Sequence, residues 1–336
     1  MSMRLVIWEA QWAAYQNRFA AKLQTDWRID VLDPTPEALC RGVRGADALL
    51  ALALPPAARA CAQGLRVFLN PGAGVAHASP SELPKGCALV NCYEHEMPIA
   101  EYVMMAILMH VTGIQEKAAA FRQGRWLGSG RTGGQPHGEA YGQTVGLIGF
   151  GHIGQAVAAR AKAFGMRVLA IRGREEAAAA PPPGSRADFL GWPADLPLLL
   201  RESDFLVIAC PLTAQTRGML GAAELALLKP SAFLINIARA EIVDETALYE
   251  ALRSARIAGA ALDVWYQYPP DNHSPGHGSA LPFHLLPNVL ATPHFSAWTH
   301  GMLDRRITRM AETLDRVARA EPLERVVLVG DWEPEA

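Results

Sequence analysis

Charge is scarce in this chain. Only 19% of the 336 residues are charged, and 31 Lys and Arg against 33 Asp and Glu leave a formal net charge of −2 at pH 7. No basic block stands out, so no nucleic-acid partner is expected, because phosphate backbones are gripped by clustered Lys and Arg. Apolar runs of 18 or more residues are missing as well, and with them the usual mark of a membrane span. The opening Met-Ser-Met-Arg-Leu-Val-Ile-Trp has neither the longer apolar core nor the small-residue cleavage site of a secretory signal, so a cytoplasmic location is expected. Cysteine is sparse too. Cys40, Cys61, Cys87, Cys92 and Cys210 form no CxxC pair and no metal-ligand spacing, which predicts buried thiols in a reducing compartment and no metal site.

What is present is apolar and periodic. Half the residues are hydrophobic, and the length allows two domains with separate cores. Residues 4–90 alternate short apolar runs (4–8, 29–32, 48–54, 67–69) with helical ones (10–24, 36–41). That rhythm predicts an α/β domain, but one without a phosphate-binding glycine turn. The glycine loop Pro71-Gly-Ala-Gly-Val75 follows one of these strands and offers backbone N–H groups to a small anion, although a plain turn fits the spacing as well. Residues 98–120 form a long apolar helical pattern whose methionines read as core filler, and 123–143 is a polar, glycine-rich loop containing Trp126.

The centre of the chain is Val145-Gly-Leu-Ile-Gly-Phe-Gly-His-Ile-Gly154. A buried strand over 143–148 runs into Gly149, Gly151 and Gly154 at G-x-G-x-x-G spacing, an alanine-rich helix over 153–164 follows, and 165–171 returns as a second strand. In such a βαβ unit the first glycine permits the tight turn, the second lets the backbone approach a pyrophosphate, and the third lets the helix pack on the sheet. The helix N-terminus then faces the phosphates with free N–H groups. An acid about twenty residues past the glycines would bind the ribose hydroxyls; here stand Arg172-Gly-Arg174, with no acid until Glu175, which predicts NADP(H) in preference to NAD(H). Residues 175–193, with an alanine run and Pro181-Pro-Pro-Gly184, read as a surface excursion without chemical interest. Nearly continuous apolar strands at 204–209, 232–237 and 259–264 predict a parallel sheet covered on both faces, with functional groups just beyond the strand ends: Arg239, Asp263 and the segment after Val264.

At this point several ordered motifs come together. Asn236-Ile-Ala-Arg239, Val243-Asp-Glu245, Ala260-Ala-Leu-Asp-Val264 and Pro287-Asn-Val-Leu-Ala-Thr-Pro-His294, with the glycine motif and Ala100-Glu101, resemble the D-isomer-specific 2-hydroxyacid dehydrogenases over roughly residues 45–325. The resemblance implies two Rossmann-like or flavodoxin-like α/β domains. A central doubly wound parallel-sheet NAD(P)-binding domain (98–299) would be inserted in a discontinuous substrate domain (1–97 and 300–336), with the subunits forming a homodimer. It assigns Arg239 to binding and polarising a 2-keto or 2-hydroxy acid, His294 to acid/base work, and Ala73, Gly74 and Val75 to the substrate carboxylate. The cofactor would lie against Gly149, Gly151, His152, Ile153, Gly154, Arg172, Arg174, Cys210, Pro211, Thr216, Ala238 and Asp263, the last through the nicotinamide carboxamide.

The chain departs from the family pattern at two positions. Five residues past Asp263, where the family has a catalytic glutamate before a proline, stands Tyr268. A tyrosine can orient an imidazole but adds no charge, so His294 is expected to be protonated less often. Where the family often has Asn facing the substrate stands His95, which could supply proton chemistry, contact a substrate anion, or simply sit exposed in a polar loop. The expected function is an NADP(H)-preferring D-2-hydroxyacid dehydrogenase; formate-dehydrogenase-like hydride transfer and a cofactor-binding module without turnover are the alternatives. Trp265, Tyr266 and Tyr268 suggest an aromatic wall at the substrate, or core packing. His273 and His277 fall in an apparently flexible insert, and the helix expected at 301–320 shows its arginines, Arg305, Arg306 and Arg309, as a solvated face.

Overall fold

Short apolar runs become parallel strands wherever helices can cover both faces, and two such sheets are seen in a computed structural model that describes residues 2–75, 78–173, 186–271 and 273–334. The chain divides into two compact units, Met1–Glu94 with Thr299–Ala336, and His95–Trp298.

In the first unit, β1 (Met3–Ile7), β2 (Trp27–Val31), β3 (Ala48–Leu50), β4 (Val67–Asn70) and β5 (Ala88–Asn91) are parallel, and β13 (Val326–Val329) adds antiparallel to β5, giving the order β13-β5-β4-β3-β1-β2. β3, β4 and β5 are buried at every position, and all their residues but the terminal Asn70 and Asn91 are apolar. One face is covered by the helix His300–Ala318, whose Met302, Leu303, Ile307, Met310 and Leu314 pack with Leu5, Ile7, Leu50 and Leu69. Thr299 caps that helix by accepting from the Met302 amide at 3.1 Å.

Three expectations for this unit change. The helix expected over 10–24 is two, Ala10–Ala13 and Gln16–Lys22, because Tyr15 at the junction leaves helical geometry and packs edge-on to Trp12. The arginines are partly solvated but also bonded: Arg305 and Arg309 pair with Glu94, each at 3.4 Å, and Arg306 Nε donates to the Tyr93 carbonyl at 2.7 Å. Cys40 and Cys61 are joined in a disulfide, while Cys87 and Cys92 are buried free thiols. Their separation of 21 residues gave no sign of pairing, which arises because the helices Pro36–Gly42 and Pro56–Arg59 pack together.

The second unit holds an all-parallel sheet: β6 (Thr144–Ile148), β7 (Arg167–Ile171), β8 (Phe189–Gly191), β9 (Phe205–Ile208), β10 (Phe233–Asn236), β11 (Gly259–Leu262) and β12 (Val289–Ala291), in the order β12-β11-β10-β9-β6-β7-β8. The order reverses between β6 and β9, which opens a crevice at their C-terminal ends. Apolar clusters fill both faces of the sheet.

The segment read as an excursion in fact carries β8. Residues 174–185 are outside those described, but Asp188 accepts from the Val168 amide at 2.7 Å and from Lys162 Nζ at 2.8 Å and so fastens an edge strand that the composition hid. The helix expected over 98–120 is Glu96–Thr112, then a left-handed turn at Gly113 (φ 57°), then Ile114–Arg122, bent by 61°. No single helix among the described residues is long and apolar enough to cross a membrane.

Candidate active site

The glycine turn meets backbone on two sides. Gly149 lies at φ 102°, and a Cβ there would fall 2.6 Å from the Cys210 amide nitrogen, at the start of the turn after β9. A Cβ on Gly154 would fall 2.2 Å from the Gly149 carbonyl oxygen. Around Gly151, by contrast, an added Cβ would meet nothing within 4 Å among the described residues beyond its own local backbone. The first and third glycines are therefore demanded by the protein's own packing, and the second leaves open space, which fits a ligand's approach to the backbone. Gly151 is the N-cap of the helix His152–Ala163, so Gly151, His152 and Ile153 present the helix start to that space.

Around this turn stand the other residues assigned to a dinucleotide. Arg172 follows β7, donates its amide to the Gly191 carbonyl at 3.2 Å, and places its guanidinium 5.1 Å from the Trp192 ring centroid. Arg174 is outside the described residues. After β9, Thr216 Oγ1 donates to the Pro211 carbonyl at 2.7 Å and accepts from the Thr213 amide at 2.8 Å, which closes the turn beginning at Cys210. Burial pushes the Cys210 thiol up to about 11, so it is a neutral packing group.

The turn after β10 is built by Asn236, whose Oδ1 accepts from the Ala238 amide at 3.1 Å and whose Nδ2 donates to the Arg239 carbonyl at 3.0 Å. Arg239 is thereby exposed, and among the described residues its guanidinium donates to the Ala238 carbonyl, from Nη1 at 2.6 Å. Most of its guanidinium fork remains available for a carboxylate.

His294 sits at φ 56°, a left-handed conformation that costs about 1–2 kcal/mol for a residue with a Cβ. Asp263 explains why it persists. This carboxylate is fully buried; Oδ1 accepts from Thr292 Oγ1 at 2.7 Å and from the Phe295 amide at 3.0 Å, and Oδ2 accepts from the Ser296 amide at 3.0 Å. Hydrogen bonds to an ionised group contribute about 1.5–3 kcal/mol each, enough to hold the turn. The carboxylate of Asp263, expected at the nicotinamide carboxamide, has no exposed surface here and is bonded to the His294 loop.

Tyr268 reaches the imidazole. Its hydroxyl lies 2.9 Å from His294 Nδ1 and accepts from the Trp265 amide at 3.2 Å. Partial burial depresses the His294 pKa below the usual histidine value; the Asp263 charge acts upward, and the Arg239 charge downward. Burial raises the Tyr268 phenol, so it stays neutral, and Arg239 is close enough to lower it in turn. Arg239, Asp263, Tyr268 and His294 thus share one electrostatic neighbourhood.

Of the supposed aromatic wall only Tyr268 is exposed (54%); Trp265 is buried, with Nε1 donating to the Thr292 carbonyl at 2.8 Å, and Tyr266 stacks on Phe283 and donates to the Val243 carbonyl at 2.9 Å. His277 stacks on His284 at 3.6 Å, so the insert is packed at that point. His95 is the N-cap residue of the helix Glu96–Thr112. Ala73, Gly74 and Val75 belong to the first unit, where Asn91 Nδ2 donates to the Ala73 carbonyl at 2.8 Å and Asn70 Oδ1 accepts from the Gly72 amide at 2.8 Å. The sequence reading missed Thr292 and Tyr102, whose hydroxyls are 2.8 Å apart; the one was hidden in a motif ending in histidine, the other in an apolar helix.

The family model for the D-isomer specific 2-hydroxyacid dehydrogenase NAD-binding domain matches residues 104–296. A glyoxylate reductase of Korarchaeum cryptofilum is 31% identical over 323 residues, 91% of each chain. A D-3-phosphoglycerate dehydrogenase of Methanocaldococcus jannaschii is 33% identical over 87% of this chain and 54% of its own length. The chain spans about half the length of that relative and of several glyoxylate reductases. Among solved structures, the NADPH-dependent glyoxylate/hydroxypyruvate reductase of Sinorhizobium meliloti, in complex with NADP and sulfate, is similar with a TM-score of 0.74 and 26% identity, covering 97% of this chain and 98% of that one. With its NAD-binding domain matched by the family model and a relative aligned over nine-tenths of both chains, this protein belongs to the D-isomer specific 2-hydroxyacid dehydrogenase family.

Proposed function

We propose that this protein is an NADP(H)-preferring 2-keto acid reductase, equally a D-2-hydroxyacid dehydrogenase, acting on a small substrate such as glyoxylate or hydroxypyruvate. The observation that carries the reading is the Tyr268 hydroxyl held 2.9 Å from Nδ1 of His294, with the Arg239 guanidinium near enough to act electrostatically on both. The second unit would hold the cofactor, with Gly149, Gly151, His152, Ile153 and Gly154 at the phosphates, Arg172 and Arg174 toward a 2′-phosphate, and Cys210, Pro211, Thr216 and Ala238 along its length. The open space at Gly151 fits that group. When bound, the nicotinamide supplies or accepts the hydride.

This chain's residues do the rest. The Arg239 guanidinium holds the substrate carboxylate and draws charge onto the keto oxygen. His294 delivers a proton from Nε2 to that oxygen in reduction and removes it in oxidation. Tyr268 holds Nδ1 and follows either tautomer, since a phenol both donates and accepts. His95 is a further candidate for contact with the substrate. The preference for NADP(H) is supported by the arginines after β7 and by the NADP-bound relative from Sinorhizobium meliloti. Association into a homodimer is supported by exposed Ile114, Phe121, Trp126 and Leu127, which gather in the second unit.

The test is NADPH oxidation against glyoxylate, hydroxypyruvate, pyruvate and an aryl pyruvate from mildly acid to neutral pH. Turnover with any of these supports the reading. Turnover confined to formate or phosphite favours a formate-dehydrogenase-like reaction, for which the uncharged residue at 268 is the supporting observation. Tight cofactor binding without turnover makes the chain an interaction module.

A further inference from the structure

Tyr268 leaves His294 without a carboxylate at its Nδ1, yet a buried carboxylate stands on the other side of the same loop. We infer that Thr292, held between Tyr102 and Asp263, is a positioning residue that fixes the backbone turn carrying His294, so that Tyr268 can hold the ring. This rests on the acid/base role proposed for His294.

The direction of the hydrogen bonds follows from the donor inventory. An ionised carboxylate only accepts, so Thr292 Oγ1–H must point to Asp263 Oδ1, 2.7 Å away. The lone pairs of Thr292 Oγ1 are then free to accept from Tyr102, whose hydroxyl is 2.8 Å away. Tyr102, on the helix Glu96–Thr112, stays a donor at any ordinary pH, because burial pushes its phenol up to about 12. The chain Tyr102 to Thr292 to Asp263 is thus polarised in one direction, and each bond strengthens the next.

The same threonine is fastened through its backbone. Its amide donates to the Leu262 carbonyl at 2.9 Å, and its carbonyl accepts from Trp265 Nε1 at 2.8 Å and from the His294 amide at 3.0 Å. With Phe295 and Ser296 also bound to Asp263, residues on both sides of His294 are pinned, and the imidazole is left to be set by Tyr268. The Asp263 charge acts upward on the His294 pKa, against burial and Arg239. Charged and titratable groups acting on the ring are therefore Asp263, Arg239 and Tyr268.

Four variants test this: Thr292→Val, Thr292→Ser, Tyr102→Phe and Asp263→Asn. Each is read by kcat, KM and pH profile with NADPH and glyoxylate, and by ¹⁵N titration of the His294 ring without substrate. Thr292→Val and Tyr102→Phe should lower kcat about tenfold or more, with KM for NADPH within about twofold. Both should change the ring's ¹⁵N shifts, while Thr292→Ser restores kcat to within about threefold. Asp263→Asn, if it folds, should lower the ring pKa; if it does not, the other three variants still decide. Lower melting temperature with parental kcat and parental ring shifts in Thr292→Val and Tyr102→Phe overturns the inference. Full turnover by His294→Ala removes the acid/base role instead, and the ring titration then judges the positioning separately.

Discussion

The Tyr268 hydroxyl stands 2.9 Å from Nδ1 of His294, at the place where the family pattern has a glutamate. It keeps the orienting hydrogen bond and drops the charge. Burial therefore acts on the imidazole with less opposition, and the His294 pKa falls below its ordinary value.

The pH dependence follows with a definite sign. Reduction consumes the imidazolium, so kcat/KM for a keto acid should be full below the depressed pKa and fall about tenfold per pH unit above it. Oxidation, which needs the neutral ring, should rise over the same interval. A reductase rate still level well above pH 6.5 would count against His294 as the proton donor.

Tyr268→Glu restores a charge beside Nδ1 and should move the reductase profile upward by roughly 1–3 pH units, since an opposite charge at this range shifts a pKa by that much. Tyr268→Phe keeps the ring but loses the hydroxyl that joins His294 to the Trp265 amide. It should lower kcat about tenfold while leaving KM for NADPH unchanged. Unmoved profiles in both variants contradict the account of this pair.

Arg239→Ala should reduce kcat/KM for keto acids by about 10²–10³. Its melting temperature should stay near that of the parent, because among the described residues the exposed guanidinium bonds just the neighbouring Ala238 carbonyl. Arg239→Lys should recover little, as an ammonium cannot form the planar two-point contact. Steady-state kinetics beside a thermal melt separate loss of chemistry from loss of fold.

The glycine turn offers a contrast within six residues. Gly154→Ala puts a methyl 2.2 Å from the Gly149 carbonyl oxygen, and Gly149→Ala puts one 2.6 Å from the Cys210 nitrogen at φ 102°. Each should destabilise the fold by about 1–3 kcal/mol in denaturant titration. Among the described residues, the methyl of Gly151→Ala meets nothing within 4 Å beyond its own chain neighbours and helix backbone, so the variant should fold normally and lose NADPH affinity. Unaltered NADPH binding by Gly151→Ala would refute the placement of the phosphates there.

Arg172→Asp should exchange the favoured cofactor, measured as the ratio of kcat/KM with NADPH to that with NADH. A fall of about tenfold or more is expected, because a charged contact to the 2′-phosphate becomes a repulsion. An unchanged ratio would place the discrimination elsewhere.

Much of this protein is determined locally. The βαβ turn at Gly149, the strands β9, β10 and β11 and the residues beyond them, Arg239 and Asp263, can be read from the chain, because parallel strands covered on both faces must be continuously apolar and the residues at their ends cannot be. The family motifs add His294 and mark Tyr268 as a departure. What the chain alone does not disclose is long-range. β8 behind a proline- and alanine-rich stretch, β13 running antiparallel beside β5, the Cys40–Cys61 bond and the grip of Glu94 on Arg305 and Arg309 all join residues far apart in sequence. The same holds at the imidazole. Only folding brings Tyr102 against Thr292 across 190 positions and buries Asp263 beneath the turn, because periodicity reports which face of an element is apolar, whereas hydrogen-bond partners depend on where the elements meet.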